Sequence, residues 1–271
     1  GSYMITDKKM IQKKMEAIRV FILDMDGTIY LGKNLFPYTH DFLNTVKATE
    51  REYYFFTNNS SRDLAAYIDK LHGMGIDIDK KQMMVSTHVI LRWLKKHHDG
   101  RRVYVVGTPA LRKEFEAHGW ILDEEKPDIV ILGFDTTLTY EKLSKACTFI
   151  REGALYYGIN PDLNCPMEHD TFIPDCGSMA KLIEASTGKY PEFFGKPSGK
   201  TLDYIVEETG CSPDQIAIIG DRLYTDIKVA DGSEVTSILV LSGETKAEDI
   251  DTSDVKPDIV IEHIGELAKL L

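Results

Sequence analysis

Two carboxylates, two residues apart, close the first apolar run of the chain: Arg19-Val20-Phe21-Ile22-Leu23 leads into Asp24-Met25-Asp26-Gly27-Thr28. At a strand end followed by glycine, both acids can face one pocket where the chain turns. Gly27 permits the tight backbone, and the exposed amides of such a turn favour an anion. A polar turn is the plain alternative, because Asp and Gly favour turns anyway. A calcium loop fails on spacing: its glycine belongs at the sixth position and its Glu at the twelfth, where this sequence has Leu35. Two further apolar runs end in polar groups of the same kind, Tyr53-Tyr54-Phe55-Phe56 in Thr57 and Ile216-Ala217-Ile218-Ile219 in Gly220-Asp221.

Positioning these groups at one place requires a particular set of elements. Continuous apolar runs of this length read as strands buried on both faces, hence a parallel sheet. Thr236–Val240 and Asp258–Ile261 add two more, and segments with apolar residues three or four apart lie between the runs (Phe42 and Val46; Ala65, Ile68 and Leu71; Leu202, Ile205 and Val206). Alternating strands and helices predict a doubly wound, Rossmann-like α/β core, in which ligands bind outside the carboxyl ends of the strands. The middle of the chain has its own alternation: strands at Val103–Val106, Asp128–Leu132 and Ala154–Tyr157, with helices over Val89–Lys96, Ala110–His118 and Tyr140–Arg151. The expected organisation is a core of residues 1–80 and 181–271, with a second α/β domain inserted over 81–180.

Composition excludes several classes. The 271 residues carry 32 Lys and Arg against 43 Asp and Glu, a net charge of −11, which argues against a nucleic-acid polymer as partner. A hydrophobic fraction of 43% excludes a mainly disordered chain. No apolar run reaches the length of a membrane span, and the Lys-rich stretch Met4–Met15 has no apolar centre of the kind a signal peptide needs. Gly1-Ser2-Tyr3 reads as an expression scar. Cys147, Cys165, Cys176 and Cys211 form no C-x-x-C pair and read as free thiols of a cytoplasmic protein. The two glycosylation sequons within Asn58-Asn59-Ser60-Ser61 then read as chance.

Asp-x-Asp-Gly-Thr after an apolar strand resembles the first motif of the haloacid-dehalogenase-like (HAD) hydrolase superfamily, and three further motifs follow in that family's order. They are Thr57-Asn58-Asn59, Gly195-Lys196-Pro197, and Gly220-Asp221-Arg222-Leu223-Tyr224-Thr225-Asp226. The resemblance covers essentially the whole chain beyond about residue 18. Between Thr57 and Lys196 there is room for an entire inserted domain, whereas between Asp24 and Thr57 there is room for one helix and one strand. That placement, with Asn160-Pro161-Asp162 and Gly195-Lys196-Pro197-Ser198, is similar to the NagD-like branch, which includes the p-nitrophenyl phosphatases. One departure is Ile159, where the branch is expected to carry Thr.

The resemblance implies a Mg²⁺-dependent phosphatase of small phosphate monoesters such as nucleotides or sugar phosphates. By it, Asp24 attacks phosphorus and becomes an aspartyl phosphate, and Asp26 protonates the leaving group and then activates water. Mg²⁺ is held by the Asp24 and Asp221 carboxylates and the Asp26 backbone carbonyl, with Asp226 as an outer group positioning a bound water or as a weaker direct ligand. Thr57, Asn58, Asn59 and the Gly27 loop face the phosphoryl oxygens, and Lys196 neutralises them. The cap covers the site and chooses the substrate: Asn160 and Asp162 and the stretch Leu163–Asp170, with Glu168 and His169, are the expected contacts. For that stretch a plain loop is the alternative, and the residues do not separate the two. The resemblance also admits a homodimer through the cap.

Other readings of the same residues differ in strength. An aspartyl phosphate passed to a sugar hydroxyl makes a phosphotransferase or mutase; a non-catalytic metabolite-binding protein has no need of Asp26 or Asp221. Gly199-Lys200-Thr201 is not a P-loop, because Phe194 stands where that loop needs Gly. His97-His98 reads as an exposed helix end, and Trp93 and Trp120 as core or interface.

Overall fold

The computed structural model describes residues 4–271, and of Glu168 the backbone alone. The described residues form two compact units: one of residues up to Thr57, Ile68–Met84 and Lys196–Leu271, the other of Asn58–Tyr67 and Val85–Gly195. The expected insertion over 81–180 differs from the second unit at both ends: the second unit also takes Asn58–Tyr67, which was expected in the core, and runs on to Gly195. A break at 180 falls inside the helix Cys176–Thr187, whose Ala180 and Ile183 are fully buried in the second unit's core. The chain passes between units at Thr57–Asn58, Tyr67–Ile68, Met84–Val85 and Gly195–Lys196, the first and last in the middle of two of the sequence motifs.

The first unit is built on a six-stranded sheet ordered Ile259–Ile261, Thr236–Val240, Ile216–Gly220, Val20–Leu23, Glu52–Thr57, Met83–Val85. The pairings from Ile259–Ile261 through Glu52–Thr57 are parallel. Val20–Leu23 is central and buried along its whole length, as its continuous apolar sequence requires. Its register, Leu23 beside both Ile219 and Phe55, brings the carboxyl ends of three strands level, so that Asp24, Thr57 and Asp221 emerge together. The edge strand Met83–Val85 has no counterpart in the sequence reading, because its three apolar residues run straight into the helix Ser86–His98.

The second unit has five parallel strands ordered Glu192–Phe193, Leu155–Gly158, Ile129–Leu132, Arg102–Val106, Ile121–Leu122. Side-chain caps fix three of its helix starts: Thr108 accepts from Leu111 N, Thr139 from Lys142 N, and Asp175 from Cys176 N. Ile159, the departure noted above, is fully buried, and its N–H donates to Leu132 O. Trp93 packs against Tyr157 and Phe194 in an aromatic cluster, while Trp120 is buried. All four cysteines are free thiols. Among the described residues, no helix is long and apolar enough to cross a membrane.

Candidate active site

At the carboxyl end of the core sheet, Asp24, Asp221 and Asp226 each place one carboxylate oxygen within 4.8 Å of the others. Each reaches that point by a different local device. Asp24 follows the central strand and is held by its N–H to Ile219 O at 2.9 Å. The backbone then turns back, with Thr28 N and Ile29 N both donating to Met25 O and Gly27 N to Tyr30 O at 2.8 Å. Gly27 sits at φ +84°, and a Cβ there would lie 2.3 Å from Asp221 Oδ2, so both its conformation and its space demand glycine. Asp221 ends the neighbouring strand, and the chain continues as one wide π-helical turn, Leu223–Ile227, that brings Asp226 back under it. At Gly220 a Cβ would lie 2.3 Å from Asp226, so the turn closes against bare backbone.

Two cations face the acids. Lys196, buried in the first unit, donates to Asp226 Oδ1 at 2.6 Å and Phe56 O at 3.4 Å, and stands 3.5 Å from Asp24 Oδ1. Arg222 is the second, with its Nε 3.9 Å from Glu244 Oε1 and its backbone N–H donating to Asp226 Oδ2 at 3.3 Å. The sequence reading passed over Arg222. Its place between Asp221 and Asp226 in the motif is the signal that it must lie beside them.

The charges shape the titration of the cluster. For Asp24, burial favours the neutral form, but Lys196 and then Arg222 outweigh it and hold the carboxyl below its usual range. Asp221 is pushed up to about 8 by burial, then by Asp24 and Asp226. Asp226 is pushed up to about 7 by burial and by Asp24, against the pull of Lys196. Arg222 is raised: burial opposes its charge, but Asp24, Glu244 and the other acids prevail.

The donor set fits a hard divalent cation. Asp221 is 3% exposed; its Oδ2 accepts from Glu244 N at 2.8 Å, and its Oδ1 is buried with no hydrogen-bond partner. An orphaned buried carboxylate oxygen beside two further carboxylates is costly for the chain alone and suited to a metal with oxygen ligands.

The remaining expected residues are distributed as follows. Asp26 is exposed, is not one of the three clustered acids, and accepts from Gly32 N at 3.1 Å. Thr57 ends its strand in the first unit, beside the Asp24 loop in the sheet order. In the second unit, Asn58 Nδ2 donates to Asp162 Oδ2 at 3.1 Å, and Asn59 Oδ1 accepts from Ser61 N and Oγ, closing a turn. Asn160 is fully buried and wholly engaged: it accepts from Ser60 Oγ at 2.8 Å and donates to Asp162 Oδ2 and Asp175 Oδ1, each at 2.9 Å. Bonds of this kind make Asn160 a scaffold group. Leu163–Asp170, expected to contact substrate with a plain loop as the alternative, contains the first strand of a short hairpin, Asn164–Pro166 paired with Phe172–Pro174. At its tip His169 is exposed, with φ +60°. The side chain of Glu168 lies outside the described residues.

These features define a class, a doubly wound α/β protein with a cluster of three acids at the carboxyl end of its core sheet, and comparison with known proteins gives the family. The haloacid dehalogenase-like hydrolase profile matches residues 21–121, and a HAD-hydrolase-like profile matches residues 193–267. The chain is 45% identical to the crystal structure of a 4-nitrophenylphosphatase from Thermotoga maritima, with a TM-score of 0.90, covering 94% of this chain and 98% of that one. It is 30% identical to a 5'-nucleotidase of Bacillus subtilis over 93% of this chain and 98% of the other. NagD from E. coli shares 27% identity at a TM-score of 0.85, covering 92% and 98% of the two chains. This chain belongs to the haloacid dehalogenase-like hydrolase family, in its NagD-like branch, and is a phosphatase.

Proposed function

We propose that the enzyme is a Mg²⁺-dependent phosphomonoesterase that acts on small phosphate esters through an aspartyl phosphate on Asp24. The observation that carries this reading is the asymmetry within the acidic cluster. Lys196 and Arg222 keep Asp24 ionised, as a nucleophile must be, while the neighbouring Asp221 offers a buried, unpartnered oxygen.

In the first step an Asp24 carboxylate oxygen forms a bond to phosphorus and the bond from phosphorus to the ester oxygen breaks. The departing alkoxide takes a proton from the Asp26 carboxyl. In the second step Asp26, now a carboxylate, takes a proton from water. The water oxygen bonds to phosphorus, and the Asp24 carboxylate is released with inorganic phosphate. The exposed position of Asp26, outside the three-acid cluster, supports a role facing solvent and leaving group. Lys196 supplies positive charge to the phosphoryl group, and Asp226, bonded to it at 2.6 Å, fixes its ammonium. Thr57 and Asn58 are proposed as donors to the phosphoryl oxygens.

The Asp24 and Asp221 carboxylates and the Asp26 carbonyl would hold Mg²⁺, with Asp226 in an outer role because both its oxygens already accept hydrogen bonds. Bound there, the cation would offset the repulsion between the acids and a phosphate dianion. The names of the relatives, a nitrophenylphosphatase and a 5'-nucleotidase, support a broad class of small esters. Within that class we propose the hairpin segment Leu163–Asp170, with Glu168 and His169, as the part that discriminates among leaving groups.

The test is hydrolysis of p-nitrophenyl phosphate and of a panel of nucleoside monophosphates and sugar phosphates, with Mg²⁺ and with a chelator. Release of phosphate that needs Mg²⁺ supports the reading. Undiminished release in the chelator overturns the metal, and transfer of phosphate to an added sugar in preference to water overturns hydrolysis.

A further inference from the structure

The segment Ser242-Gly243-Glu244-Thr245, beyond the end of the strand Thr236–Val240, belongs to none of the recognised motifs, yet it touches two of them. Ser242 Oγ donates to Gly27 O at 2.7 Å. Glu244 N donates to Asp221 Oδ2 at 2.8 Å, and Thr245 N to Asp221 O at 3.2 Å. Between them Gly243 has no room for a side chain: a Cβ there would lie 2.1 Å from Asp221 Oδ2, and its own Cα would lie 3.1 Å from a Cβ on Gly27. The two glycines are therefore in close approach, with the Asp221 carboxylate against both.

We propose that Ser242–Thr245 is a positioning segment for the metal ion: it occupies Asp221 Oδ2 so that Oδ1 alone is presented, and it ties the Gly27 carbonyl so that the Asp24–Gly27 loop keeps its register against Asp221. The inference rests on the reading of Asp221 as a metal ligand. Its content is the orientation of that ligand. A carboxylate with both oxygens free can turn and bind a cation through either or both; one with Oδ2 fixed by an amide and a carbonyl-anchored loop beside it binds through one oxygen. Mg²⁺ demands near-octahedral geometry, so single-oxygen presentation favours it over the larger Ca²⁺, which accepts two-oxygen binding. Ser242 contributes nothing to this from its charge. It acts through Gly27, which makes it a positioning residue.

The experiment measures binding of Mg²⁺ alone to the full chain, by titration calorimetry and by the rise in Tm on adding Mg²⁺, for the parent, Ser242→Ala, Ser242→Thr, Gly243→Ala and Asp221→Asn. Loss of one hydrogen bond of about 1 kcal/mol weakens binding about fivefold. Ser242→Ala is expected to raise the Mg²⁺ Kd by about that factor while its metal-free Tm stays near the parent's. Ser242→Thr, which keeps the hydroxyl, is expected to restore binding to within about twofold. Gly243→Ala is expected to lose Mg²⁺ binding. Parental Mg²⁺ affinity in Ser242→Ala, with Asp221→Asn impaired, overturns the positioning role and leaves the metal assignment standing. A fall in metal-free Tm without a change in Mg²⁺ affinity shows a merely structural serine and overturns it equally. Parental affinity in Asp221→Asn overturns the metal assignment itself, and this inference with it.

Discussion

Asp24 and Asp221 are the same residue type a few ångströms apart, and their surroundings give them opposite protonation. Lys196 and Arg222 hold Asp24 ionised, whereas burial and two acidic neighbours keep a proton on Asp221 to about pH 8. Two predictions belong to this scale. Asp24→Asn keeps the size of the side chain and removes its charge, so hydrolysis should fall by about a thousandfold or more, some 4 kcal/mol on the barrier, with Tm near the parent's. Turnover of p-nitrophenyl phosphate under saturating Mg²⁺ is the measurement, and near-normal turnover would remove Asp24 from the mechanism. The second concerns pH. In the metal-free protein the Asp221 pKa lies above its unfolded value of 3.8, so between about pH 4 and 8 the folded state holds a proton that the unfolded chain has released. Stability from this group is therefore lost as pH rises through that window. Asp221→Asn lacks this dependence, and its Tm advantage over the metal-free parent should widen from pH 5 to pH 8. Mg²⁺ should stabilise the parent more at pH 8 than at pH 5, because binding must displace the proton. A thermal-melt series with and without chelator decides both points, and a Tm gap independent of pH would refute the assignment of that proton.

At the scale of elements, the long buried strands were legible because they are buried on both faces and so read as unbroken apolar runs. Val20–Leu23 and Ile216–Gly220 carry that signature, Thr236–Val240 carries it from Ile238 onward, and each is buried throughout. Short strands escaped because two or three residues carry no period: Glu192–Phe193 and Ile121–Leu122 exist by pairing to a neighbour, not by their own pattern. The acidic loop and the Asp221 turn were legible as motifs, and Arg222 lies within the second of them, but the Ser242–Thr245 segment was not legible. Its role arises from the approach of one strand end to another, which spacing along the chain does not encode. Asn160 shows the reverse case. The Asn160-Pro161-Asp162 motif resembles a binding loop, yet the side chain of Asn160 is spent on Ser60, Asp162 and Asp175. Asn160→Ala leaves those buried groups short of partners and should cost about 2–4 kcal/mol of stability, since buried polar networks lose more than one bond when a hub is removed. Urea denaturation measures the loss. Unchanged stability with a changed substrate preference would instead restore Asn160 as a substrate contact.

At the scale of the whole molecule, the sequence divides its chemistry by unit. Asp24, Asp26, Thr57, Lys196 and Asp221 belong to the first unit, and the segment proposed to choose among esters belongs to the second. The hairpin region that carries this segment keeps Leu163, Met167 and Phe172 at 50%, 45% and 63% exposure. A division of labour makes a prediction that neither unit makes alone. p-Nitrophenyl phosphate has a good leaving group and few features to recognise, so its turnover should depend on the first unit. A natural ester uses its leaving-group part for binding, and that remote binding energy helps place the phosphate. His169→Ala and Glu168→Ala should therefore reorder kcat/KM among nucleoside monophosphates and sugar phosphates while holding p-nitrophenyl phosphate within about tenfold, or 1.4 kcal/mol. An unchanged order across the panel would place discrimination elsewhere in the second unit. A common collapse of every substrate would make the hairpin part of the catalytic machinery, because only a group acting on the shared phosphoryl chemistry can affect all esters alike.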